Sequence, residues 1–101
     1  MSGRAGRRAV ETLISILNRE FGITAAAGLE PSTGETRWTI GALVLRRTSI
    51  GYTVHQVTTA DGDTADIFAL SPARSYDALW RRLHCWADGR RFEAQRHQVT
   101  P

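Results

Sequence analysis

Lysine is absent from this chain. All 13 basic side chains are arginine, set against 10 carboxylates for a formal net charge of +3. Coding bias in a GC-rich genome, suggested also by the many alanines, is one reading of the choice and a functional demand for guanidinium groups the other. The chemical consequence is that every fixed cation is a planar fork suited to bidentate bonds with phosphate or carboxylate. An excess of three charges is modest beside the footprint of strongly basic nucleic-acid binders.

Cysteine is almost absent. Cys85 stands alone, which excludes an internal disulfide and fits a reducing compartment. No apolar run approaches the ~18 residues of a membrane span. The opening "MSGRAGRRAV" lacks the long apolar segment of a secretory signal, so the expected compartment is the cytoplasm.

Motifs that carry chemistry are also missing. There is no G-x-S-x-G, no P-loop and no G-x-G-x-x-G. A zinc site wants paired ligand spacings, whereas Cys85, His55, His84 and His97 are spread over separate segments, and His84 and Cys85 point about 100° apart on a helix. "DGDTAD" has three aspartates but none of the further ligands of a calcium loop, and reads as an acidic hairpin tip. No catalytic set, no metal site and no cofactor are expected. The chain reads as a binding protein rather than an enzyme.

What is present is periodicity. With 101 residues the chain is expected to be one domain. We expect an arm at 1–6, an α+β domain at 7–89 and a tail at 90–101. In "RRAVETLISILNREFG", Val10, Leu13, Ile14, Leu17 and Phe21 form one helical stripe, and Gly22 supplies the stop. Three strand candidates follow. "RWTIGALVLRR" places Trp38, Ile40, Ala42 and Val44 on one face and Leu43 and Leu45 on the other, while "GYTVHQVTT" and "TADIFAL" flank the Asp-Gly turn. "ITAAA" is a further short candidate for pairing. "SPARSYDALWRRLHCWADG" reads as a second helix, started by Pro72 or Ser75, with Tyr76, Leu79, Trp80, Leu83 and Ala87 inward and Gly89 at its end. The expected fold is a two-layer α+β sandwich in α-β-β-β-α order: an N-terminal helix, a three- or four-stranded antiparallel meander and a C-terminal helix, with both helices on one sheet face.

That order is also the order of a double-stranded-RNA-binding domain, which it resembles in architecture alone. The second helix of that family opens on a basic, lysine-containing run, and "SPARSYDAL" offers only Arg74. An RNP aromatic motif, a KH loop and a helix-turn-helix are absent as well.

The arginines remain. Side by side, the two helices would present Arg8, Arg19, Arg74 and Arg81 as one outward basic stripe, to which Arg46 or Arg47 adds at a sheet end. Arg82 lies one turn before Trp86, a spacing suited to a cation–π pair, and Asp77 stands four before Arg81 in the order that favours a helix ion pair. The functional expectation is a small binding protein whose arginine-edged helical surface (Arg8, Arg19, Arg74, Arg81, Arg82, with Trp86 stacking) meets nucleic acid or a nucleoprotein complex. The rival expectation is a protein-binding adaptor or inhibitor module, of the kind phages deploy against host defences. The two-sided apolar strand "TIGALVL" asks for cover on its second face, by the chain itself or by a partner, and a homodimer is one way to provide it.

Overall fold

A computed structural model describes residues 5–29, 33–68 and 71–99, with side chains left aside at 29 and 94–99. Helix α1 spans Arg7–Glu20, with Val10, Leu13, Ile14 and Leu17 buried. Phe21, the last position of the expected stripe, caps the helix outside it and is partly exposed. Strands β1 (Ala27–Leu29) and β2 (Thr36–Trp38) form a small antiparallel hairpin. Strands β3 (Leu43–Thr48), β4 (Gly51–Val57) and β5 (Thr64–Asp66) form an antiparallel meander in that order. Helix α2, Tyr76–Val99, closes the chain. The architecture is the expected α+β one, with a separate hairpin inserted between the first helix and the meander.

The hairpin corrects the reading of "RWTIGALVLRR" as one strand. The chain turns at Gly41, whose φ of +94° lies where a side chain is strained. The stretch therefore splits into β2 and β3. Ile40 ends up 63% exposed while Ala42 and Leu43 are both buried, so the two-face assignment fails across the break. The second turn is also longer than the Asp-Gly pair suggests. Residues 58–63 close it, with Thr58 N–H donating to Asp63 O at 2.7 Å and Gly62 N–H to Thr59 O at 3.1 Å.

The helices run parallel. Ala5 N–H donates to Asp77 Oδ1 at 2.9 Å at one end, and Arg91 Nη2 donates to Glu20 Oε1 at 2.7 Å at the other. Both helices pack on the sheet face formed by Leu43, Leu45, Tyr52 and Val54, giving one core with Leu79, Leu83 and Ala87 from α2. Helix α1 is tied to the sheet edge by Asn18. Its Oδ1 accepts Leu43 N–H at 2.7 Å and its Nδ2 donates to Leu43 O at 3.1 Å, so one amide replaces a missing strand. The opposite sheet face is polar over β4 and β5, where Thr53 Oγ1 donates to Asp66 Oδ2 and His55 Nδ1 bonds Thr64 Oγ1. Ala42 and Val57 are buried apart from the main core, where the chain between β2 and β3 bonds to the end of β4. The chain thus supplies part of the second cover that "TIGALVL" called for.

Ser75 starts α2, accepting from Ala78 N–H at 3.1 Å through Oγ. Pro72 lies outside the helix, beside Ala73, which pairs with Tyr52 in both directions at 2.7 and 2.8 Å. Gly51 is required at that crossing, since a Cβ there would sit 2.3 Å from Ala73 O. Gly89 does not stop α2, which runs on to Val99 and joins the expected domain and tail in one element. Of the expected arm, residues 1–4 lie outside the described residues and Ala5 is anchored to Asp77. Among the described residues, no helix is long and apolar enough to cross a membrane.

Candidate nucleic-acid interface

Parallel packing brings the starts of both helices to one end of the molecule, beside the β3–β4 turn. Register then fixes which arginines gather there. Thr48 pairs with Gly51, so Arg47 stands opposite Tyr52 and Arg46 opposite Thr53. Tyr52 stacks on Tyr76 of α2, with ring centroids 4.0 Å apart and planes 24° from parallel. Arg74 follows Ala73, the residue bridged to Tyr52. Arg7, Arg8, Arg47 and Arg74, all exposed, therefore lie at this end, Arg47 on the same sheet face as Tyr52, while Arg46, also exposed, shares the opposite face with Thr53.

Few carboxylates oppose them. Glu11 accepts from Arg7 Nε at 2.6 Å, and this bond, with the attraction of the same carboxylate, holds the Arg7 guanidinium above its ordinary pKa. Asp77 is shared between Ala5 N–H and Arg81 Nε, the latter at 3.2 Å, in the i,i+4 pair the spacing predicts. Among the described residues, Arg8, Arg46, Arg47 and Arg74 have no carboxylate partner. Two helix N-termini point the same way, adding partial positive charge.

The expected single stripe is thereby divided. Arg8 and Arg74 belong to the pole. Arg19 sits at the far end of α1, lining a groove with Ser15, Asn18 and the loop from Ile23. Arg81, Arg82 and Trp86 come together elsewhere, around a shallow hollow floored by Ile67, Phe68 and Ala78. The anticipated pair of Arg82 with Trp86 is not formed. Arg82 Nη1 donates to Ser71 O at 2.5 Å, and Arg90 lies over the Trp86 ring at 5.2 Å and over Phe21 at 5.4 Å. Trp86 is partly buried against the core rather than standing free. Arg90 wins because it too is four residues from Trp86, and the end of α1 brings it a second aromatic ring.

Sequence reasoning placed Arg46 and Arg47 only as additions and passed over Arg7 and the tyrosine pair. The signal existed in "RRTSIGY". A two-residue turn at Ser49 and Ile50 forces Arg47 opposite Tyr52. The partner Tyr76 comes from α2 and has no trace in local spacing. Of the other titratable groups, His84 meets Trp80 edge-on at 4.2 Å and Cys85 is exposed. Among the described residues, no three of His, Cys, Asp and Glu gather to hold a metal.

No protein-family model matches the chain, and no curated protein or solved structure matches it either.

Proposed function

We propose that this chain is a nucleic-acid-binding module that holds a phosphate backbone at its cationic pole. One observation carries the reading: Arg8, Arg46, Arg47 and Arg74 are exposed at the end of the molecule that holds the Tyr52–Tyr76 stack, Arg47 on the Tyr52 face of the sheet and Arg46 on the other, with no carboxylate partner among the described residues. Arg7 and Arg81, which flank them, are paired with Glu11 and Asp77. Arg19, Arg82 and Arg90 also lack a carboxylate partner among the described residues but stand apart from this end. Guanidiniums at this density, backed by helix N-termini, favour ligands with repeated anionic oxygens. They neither give nor take a proton near neutrality, which suits binding rather than acid–base catalysis.

Binding carried by phosphate contacts weakens steeply with salt. Four such contacts give a slope of log K against log salt of about −3.6 on duplex DNA and about −2.8 on a single strand. Fluorescence anisotropy over a salt series measures it. The triple variant Arg46→Ala, Arg47→Ala, Arg74→Ala should lower the slope by between two and three and leave the melting temperature unchanged. Failure of every single-stranded and duplex oligonucleotide to bind at low salt overturns the reading. Capture of an acidic protein by the same arginines, with no nucleic acid retained, favours the adaptor or inhibitor reading instead.

A further inference from the structure

The second arginine group has a different character from the first. Arg81 and Arg82 stand on either side of a line of small residues on α2, Ala78 and Cys85, which are seven positions apart and so fall on one helical face. Below them lie Phe68, Ile67 and the flank of Trp86, closing the floor of an open hollow of about 660 Å³. The result is a slot with an apolar floor and two cationic walls. Arg81 keeps donors free for a ligand, since its side chain is 71% exposed and its bond to Asp77 uses Nε. Arg82 spends one terminal N–H on Ser71 O and retains the rest.

We propose that this slot receives an unstacked base of a single-stranded nucleic acid, with the adjoining phosphates at Arg81 and Arg82. The proposal rests on the nucleic-acid reading above and narrows its substrate class. Two observations select the occupant. A base is flat and apolar on its faces, which suits a shallow floor, and it comes attached to the anion that the walls require. The slot also lies within reach of the cationic pole. Arg74 precedes α2, and Tyr76 to Arg82 covers about 9 Å of helix at 1.5 Å per residue. Ala78 and Cys85 face roughly 160–180° away from Tyr76, so a strand gripped at Arg74 must also pass about half-way round α2, a path open to a flexible single strand. Bases in a duplex are paired and stacked, and reach such a slot only after extrusion. An acidic peptide satisfies the walls but has no need of the pole.

Cys85 makes the test direct, because it is the chain's only cysteine and lies in the slot. Its rate of reaction with a thiol reagent is measured free, and again when saturated with short oligo(dT), an abasic oligonucleotide of equal charge, a duplex hairpin or an acidic peptide. The expected result is protection of about fivefold or more by oligo(dT) and none by the abasic strand, with oligo(dT) bound about tenfold tighter than the duplex. Coupling a bulky maleimide to Cys85 should lower oligo(dT) affinity to that of the abasic strand. Equal binding of oligo(dT) and the abasic strand, with Cys85 equally reactive in both complexes, overturns the slot. The pole survives that outcome if the triple arginine variant still abolishes binding. Protection by the acidic peptide and not by oligo(dT) likewise overturns the slot, and absence of any oligonucleotide binding removes both readings.

Discussion

The two ends of the helical layer use the same residue in opposite ways. Where the helices begin, beside a tyrosine stack, Arg8, Arg46, Arg47 and Arg74 are exposed and meet no carboxylate among the described residues. Where α1 ends, Arg90 and Arg91 are spent on the fold, while Arg19 stands exposed there with no carboxylate partner among the described residues. Arg91 binds both Glu20 and Asp88, and Arg90 lies over the rings of Phe21 and Trp86, themselves edge-to-face at 6.4 Å. Composition treats these groups alike; placement separates them. An arginine that fastens α2 to α1 is stabilising and locally neutral, whereas an unpaired cluster leaves its charge for a partner.

Reversing charge at each end should break this symmetry most sharply. Arg47→Glu with Arg74→Glu should lower nucleic-acid affinity by about 100-fold at low salt while stability stays within ~0.5 kcal/mol. Arg90→Glu should do the opposite. Loss of contact with two rings should cost about 1–2 kcal/mol in denaturant unfolding, with affinity changed by less than about threefold. If Arg90→Glu binds as weakly as the first variant, the division between the two ends is wrong.

The next effect belongs to the stabilising end alone. Asn18→Ala removes the amide that both accepts from and donates to Leu43, exposing an unmatched strand edge. The expected loss is about 1–3 kcal/mol, because two bonds go and a part-buried N–H is left without its partner. Urea melts of Asn18→Ala and Asn18→Asp separate the two bonds, since the aspartate can still accept from Leu43 N–H but no longer donates.

How much of this was legible beforehand differs between the helices. The α1 stripe was readable, and Val10, Leu13, Ile14 and Leu17 are its four buried residues. Strong amphipathicity over a short length leaves one way to face a core. The inward face of α2 was readable too, at Leu79, Leu83 and Ala87. Its end was not. Glycine after an apolar stripe usually marks a C-terminus, yet Gly89 sits inside the helix, followed by Arg90 and Arg91, whose contacts with Phe21, Trp86 and Glu20 hold the next turn in place. Those partners lie up to 71 positions away, so no local pattern could announce them. The candidate site suffered likewise. Its arginines were visible as pairs, but their convergence depends on parallel helices and on Tyr52 meeting Tyr76.

Gly89 offers a gentler test of the same end. A Cβ added there would meet nothing within 4 Å, and the residue lies within the helix. Gly89→Ala should therefore stabilise by about 0.5–1 kcal/mol, through helix propensity and a less flexible unfolded chain. Nucleic-acid affinity should not move. A destabilised Gly89→Ala would mean that the helix is interrupted at this residue and that the segment beyond it is not continuous with α2.

The smallest effect concerns the ion pair that marks the helices as parallel. Arg91 and Glu20 are each 42% exposed, and exposed pairs contribute only about 0–1 kcal/mol because water screens them and two flexible side chains must be held still. The hydrogen bond from Arg91 to Glu20 holds the guanidinium above its ordinary pKa. Glu20→Gln should lower stability by no more than about 1 kcal/mol in dilute buffer, and the difference should shrink as salt shortens the screening length to about 3 Å at 1 M. Arg91 would still have Asp88 within reach at 3.4 Å, a contact inside α2 that cannot hold the two helices together. A loss well above that ceiling, persisting in high salt, would show that Glu20 supports the helix pair through packing or shape, and that the contrast between a spent and an unspent arginine is not one of charge.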